Sequence, residues 1–127
     1  MASILIIDDD DMMRQMVREM LERSGHQVRE AYLGDTGVEY FELDRSDLVI
    51  TDLFMPPKGG LEVIKELKAI VPEVKIIAIT GVDVSGTGYR HDIDPKQLAM
   101  AAGACRTFKK PFGQEEFMAA VEEILAA

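Results

Sequence analysis

The chain has 127 residues, is 47% hydrophobic and 29% charged, and carries a formal net charge of -9. Its length suits one domain, residues 1–127, able to bury a core without a disulfide or a structural metal. The acid excess argues against direct nucleic-acid binding and against docking on an anionic membrane. One cysteine excludes an intrachain disulfide, and no apolar run is long enough for a signal peptide or a membrane span. A soluble, cytoplasmic, acidic domain is expected.

Residues 3–7, Ser-Ile-Leu-Ile-Ile, form a continuous β-branched run that fits a strand buried on both faces. It leads into four consecutive aspartates, Asp8, Asp9, Asp10 and Asp11. Met13, Met16, Val17, Met20 and Leu21 then repeat at helical spacing, and Gly25 is a stop signal. Residues 27–31 read as a shorter strand. A second helix opens at Gly34, with Val38, Phe41 and Tyr40 expected to face inward. Residues 47–52 are another apolar strand ending in an acid. After a Pro/Gly loop, Leu61, Ile64 and Leu67 mark a third helix ending near Pro72. Residues 74–79 make a fourth strand that ends in Thr80-Gly81. Residues 82–94 show no clear period. Asp94-Pro95 is an N-cap followed by a first-turn proline, which starts a short fourth helix. Residues 105–109 form a weaker fifth strand, and Phe117, Val121, Ile124 and Leu125 define a last helix. Five alternations of strand and helix predict a doubly wound α/β fold, a parallel sheet with helices on both faces.

Ligands of open parallel sheets bind beyond the carboxyl ends of the strands. Four of the predicted strands end at Asp8/Asp9, Asp52, Thr80 and Lys110. Converging carboxylates repel one another, and a hard divalent cation such as Mg²⁺ relieves that repulsion through oxygen ligands. A carboxylate can also serve as a nucleophile. If Asp52 attacks a phosphoryl group, Mg²⁺ and Lys110 neutralise its oxygens and Thr80 donates a hydrogen bond. Each residue alone has a plainer explanation, and their order at successive strand ends is what points to chemistry. Asp10 and Asp11 fit a plainer role as negative charges at a helix N-terminus.

These residues fall in a set of motifs: Ile4-Leu-Ile-Ile-Asp-Asp9 with Arg14, Ile50-Thr-Asp-Leu-Phe-Met-Pro56, and Gly60-Leu-Glu62. Ile77-Ala-Ile-Thr-Gly81, Ala102-Gly-Ala104 and Lys109-Lys-Pro-Phe112 follow. Together they resemble the receiver domain of two-component response regulators over essentially the whole chain. The resemblance implies a flavodoxin-like sheet in the order 2-1-3-4-5. It implies that Asp52 is the phosphoacceptor, with Thr80 and Lys110 binding the phosphoryl group. It makes Asp8, Asp9, Asp52 and the backbone carbonyl of Phe54 the ligands of Mg²⁺, and the Lys110-Pro111 bond cis. The implied partners are a sensor histidine kinase or histidine phosphotransfer protein, docking on the first helix, and a downstream protein target. Stoichiometric phosphorylation, not turnover of a substrate, is the implied activity. The stop after the fifth helix suits a stand-alone receiver, and an excised domain would look the same.

The sequence departs from the family pattern in two places. The stretch from Val82 to Asp94 is longer than usual and carries Tyr89, Arg90 and His91, groups suited to partner contacts. His91 is not expected to be a metal ligand. Thr107 stands where the family often has an aromatic that moves on phosphorylation, and alternation turns neighbouring Phe108 to the other face. Met12 and Met13 lie near the acids and suit an adaptable docking surface. Two rival readings are a Mg²⁺-dependent phosphatase of the haloacid-dehalogenase type and a pseudo-receiver that only binds proteins. The phosphatase would place its nucleophile on the first strand, and the pseudo-receiver would lack one of the acids, the Thr or the Lys.

Overall fold

A computed structural model of the protein describes residues 1–81 and 94–127. Val82, Tyr89, Arg90 and His91 lie outside them, and so do the expectations attached to those residues. The elements run β1 (Ser3–Ile7), α1 (Asp11–Arg23), β2 (Gln27–Ala31), α2 (Gly34–Leu43) and β3 (Leu48–Asp52). They continue with α3 (Gly60–Ile70), β4 (Ile76–Thr80), α4 (Pro95–Ala102), β5 (Arg106–Lys109) and α5 (Gln114–Ala126). The strands form one parallel sheet in the order β2-β1-β3-β4-β5, as the resemblance implies.

Strand position in the sheet follows apolar content. Every residue of β3 and β4 is buried, as are Ile4 to Ile7 of β1. The polar β2 and β5 take the edges. Alternation then splits the core into two layers. Leu5, Ile7, Val49, Ile76 and Ala78 meet Val38, Phe41, Val63, Ile64, Leu67 and Ala99 of α2, α3 and α4. Ile4, Ile6, Leu48, Ile50, Ile77, Ile79 and Phe108 meet Val17, Met20, Leu21, Phe117 and Val121 of α1 and α5. Each such Ile, Leu or Val contributes about 1.5–3 kcal/mol on leaving water. Phe108 thus faces the α1/α5 layer, opposite to its neighbour Thr107.

Local chemistry sets the helix ends. Asp10 caps α1 by accepting from the Met12 and Met13 amides at 3.0 and 3.2 Å, and Asp11 occupies the first turn. Both serve the helix N-terminus, as expected of them. Asp94 caps α4 through the Lys96 amide at 3.0 Å, with Pro95 in the first turn. Gly103 closes α4 at φ +123°, a conformation that side chains oppose. The inward reading of Tyr40 is corrected: the residue is 38% exposed. It lies about 200° around the helix from Val38, so the stripe that buries Val38 and Phe41 turns Tyr40 outward.

Candidate functional site

Strand register brings the predicted residues to one edge. Ile7 pairs with Thr51, Asp52 with Ile79, and Thr80 with Lys109, so β1, β3, β4 and β5 finish nearly level. Asp8, Asp52 and Thr80 are buried there, while Asp9 is exposed. Carboxylate oxygens of Asp8, Asp9 and Asp52 all lie within 4.8 Å of one another. Lys110 Nζ stands 3.2 Å from Asp52 Oδ2 and 3.6 Å from Asp8 Oδ2. Asp8, Asp9, Asp52 and Lys110 are therefore in one cluster, and Thr80 ends the neighbouring strand β4 at the same edge.

The backbone holds that cluster. The Asp8 amide donates to the Ala31 carbonyl at 3.0 Å, and the Asp10 amide donates to Asp8 Oδ1 at 2.9 Å. The Phe54 amide donates to Asp52 Oδ1 at 3.3 Å. Thr80 Oγ1 donates to the Gly81 carbonyl at 3.2 Å, while the Thr80 carbonyl accepts the Lys110 amide at 2.9 Å. Gly60 is required by proximity: a Cβ there would sit 2.1 Å from the Asp52 carbonyl oxygen. The start of α3 thereby packs directly on the backbone that carries Asp52.

Two loops frame the site. Lys58, after Pro56-Pro57, pairs with Asp35 at 2.7 Å and Glu66 at 2.6 Å, tying the β3–α3 loop to α2 and α3. Lys110-Pro111 is cis, as implied, and Pro56-Pro57 is cis too, which nothing in the sequence reading signalled. Phe112 stacks on Phe117 at 4.9 Å between ring centroids, and Phe108 lies 5.3 Å from Phe117. This aromatic group anchors the loop that follows Lys110 against α5.

Charge balance inside the cluster is uneven. Burial pushes the Asp8 carboxyl up to about 7, and repulsion from Asp52 adds to the rise. The Asp10 amide and Lys110 pull the other way, less strongly. For Lys110, burial opposes the charge, but Asp52 and Asp8 together outweigh it and raise the ammonium above its ordinary value. At Asp8, repulsion from Asp52 thus exceeds the attraction of Lys110. Three clustered oxygen donors, one of them reluctant to ionise, fit a hard divalent cation.

The sequence places Arg14 in a motif and on the expected docking helix, and does not single out its partner Glu30. Arg14 Nη1 donates to the Asp8 carbonyl at 2.7 Å, and its Nε donates to Glu30 Oε1 at 3.3 Å. Arg14 also pairs with Asp11, and Arg18 Nη1 holds Glu30 at 2.5 Å. Alternation along β2 was the available signal, because Glu30 shares the face of Val28, which packs toward α1. On the proposed docking helix, Met12 is 82% exposed, whereas Met13 is half-buried against the α1/α5 layer.

Comparison with known proteins decides the family. The model of the response regulator receiver domain matches residues 4–122. The chain belongs to that family. It is 32% identical over 124 residues to the DNA-binding transcriptional regulator NtrC of Azospirillum brasilense, covering 98% of this chain and 24% of that protein. It is 30% identical over 122 residues to the response regulator MprA of Mycobacterium ulcerans, covering 96% of this chain and 49% of that one. The chain therefore spans a quarter to a half of the length of these relatives. A receiver domain from Clostridium thermocellum superposes with a TM-score of 0.85 at 30% identity, covering 99% of this chain and 95% of that one. The receiver domain of NtrX from Brucella abortus gives 0.85 at 25% identity, covering 98% of each chain. Receiver domains are signalling modules of two-component systems, not turnover enzymes. Among the described residues, no helix is long and apolar enough to cross a membrane.

Proposed function

We propose that residues 1–127 act as one cytoplasmic receiver unit in which Asp52 accepts a phosphoryl group from a histidine kinase or a histidine phosphotransfer protein. The observation that carries this reading is Lys110 Nζ, 3.2 Å from Asp52 Oδ2, beside three converging carboxylates. Asp8, Asp9, Asp52 and the Phe54 carbonyl are the groups that would hold Mg²⁺. Bound there, the cation would supply positive charge to the carboxylates and to the incoming phosphoryl oxygens. Asp52 is the nucleophile: its oxygen bonds to phosphorus as the bond from phosphorus to the donor's imidazole nitrogen breaks. Lys110 neutralises charge on the transferring oxygens, and Thr80 turns its hydroxyl from the Gly81 carbonyl toward one of them. Water later hydrolyses the aspartyl phosphate.

The phosphorylated state shifts a conformational population toward one that binds a downstream protein target. All of Asp8, Asp9, Asp52, Thr80 and Lys110 are present, which supports a working receiver over a pseudo-receiver. Incubation with acetyl phosphate followed by intact-mass measurement tests the reading. One phosphoryl adduct is expected with Mg²⁺, and none with EDTA or in Asp52→Asn. A wild-type protein that gains no adduct with Mg²⁺ overturns it.

A further inference from the structure

Arg14 takes no part in the chemistry proposed above, yet its guanidinium is built against the acid turn. Its side chain is 14% exposed, and its three nitrogens reach three different partners. Nη1 meets the Asp8 carbonyl at 2.7 Å, Nε meets Glu30 at 3.3 Å, and Nη2 meets Asp11. Glu30 is itself held by Arg18 at 2.5 Å. The Asp8 carbonyl belongs to the peptide that joins Asp8 to Asp9. With the Asp8 amide fixed on Ala31 at 3.0 Å, a bond to that carbonyl sets the plane of the Asp8–Asp9 peptide. Asp9 is exposed, so the plane of the preceding peptide is what aims its carboxylate.

We propose that Arg14, anchored by Glu30, is a positioning residue for the metal site: it fixes the Asp8–Asp9 peptide so that both carboxylates point to the space they share with Asp52. The inference rests on the reading of that cluster as a Mg²⁺ site. Arginine suits the task because its planar fork spans separate acceptors, which a lysine ammonium does not reproduce. Groups that orient metal ligands commonly govern affinity by about 10–100-fold.

Two other roles for Arg14 give different results. A guanidinium that merely staples α1 to β2 would change stability and leave Mg²⁺ affinity alone. One that acts only through its charge repels cations, so its removal would tighten Mg²⁺ binding. The test is calorimetric titration of the full chain with Mg²⁺ at fixed ionic strength, with urea midpoints in EDTA measured alongside. Arg14→Met should weaken binding about tenfold. Arg14→Lys should also weaken it, despite the retained charge. Glu30→Gln should weaken it less, non-additively with Arg14→Met. Arg23→Met, which removes the same charge at the far end of α1, should not weaken it. Should Arg14→Met fail to fold, Arg14→Lys decides the matter. Wild-type binding with unchanged or tighter affinity in the Arg14 variants overturns the positioning role. Absence of Mg²⁺ binding in the wild type overturns the metal reading itself, and the inference with it.

Discussion

Replacing Asp8 with asparagine should stabilise the metal-free protein at mildly alkaline pH while abolishing its stabilisation by Mg²⁺. Asp8 is 2% exposed, and its carboxyl is raised from 3.8 to about 7, by burial first and by Asp52 second. A folded-state value above the unfolded one means that the native protein holds the proton more tightly. Stability is therefore lost as pH climbs from 3.8 toward 7, and the loss is complete above that. The full gap is worth about 4 kcal/mol, and by about pH 5 less than half of it has been lost. Asparagine retains an oxygen for the Asp10 amide, which donates at 2.9 Å. Its own NH₂ group needs partners in a buried place, which costs about 1–3 kcal/mol. The net gain expected near pH 8 is about 1–3 kcal/mol, vanishing or reversing near pH 5. Urea unfolding in EDTA, followed by circular dichroism at both pH values, measures it. Added Mg²⁺ should raise the wild-type midpoint and leave that of Asp8→Asn in place. A variant less stable than wild type near pH 8, or a gain equal at both pH values, would refute the electrostatic argument.

Other residues give independent checks. Lys110→Met should slow labelling by acetyl phosphate about 100-fold, as loss of a charge-stabilising donor does, while calorimetry shows Mg²⁺ still bound. Gly60→Ala should destabilise by about 3 kcal/mol in urea melts, since its Cβ has no room beside the Asp52 carbonyl. Met12→Glu, at an 82% exposed position on α1, should slow phosphotransfer from a cognate kinase and leave acetyl phosphate labelling unchanged. Equal kinase rates for Met12→Glu and wild type would remove α1 as the docking helix.

The sequence was most legible where one physical demand dominated. A strand buried on both faces must be apolar throughout, so β1, β3 and β4 stood out, and their ends delivered Asp8, Asp52 and Thr80. Capping chemistry was equally plain at Asp94-Pro95, where side chain and ring both favour a helix start. Legibility failed where the outcome depends on distant partners. Tyr40 is apolar enough to be assigned inward, but the position of the Val38–Phe41 stripe decides its exposure. Met13 and Met12 are adjacent and chemically alike, yet only the packing of α1 against α5 buries one and leaves the other in water. The partners of Arg14 come from the turn after β1 and from β2 as well as α1, so its contact with the Asp8 carbonyl has no local pattern. Lys58 likewise gains meaning only once α2 and α3 bring Asp35 and Glu66 to it.

The central claim is that Asp52 becomes covalently phosphorylated. Its most direct test is chemical trapping: phosphorylate with acetyl phosphate and Mg²⁺, reduce the acyl phosphate with borohydride, and map the peptides by mass spectrometry. Reduction converts a phosphorylated aspartate to homoserine, so the account predicts homoserine at position 52 alone, and none when EDTA replaces Mg²⁺. Homoserine at another aspartate, or unmodified Asp52 under conditions that phosphorylate the protein, would contradict it.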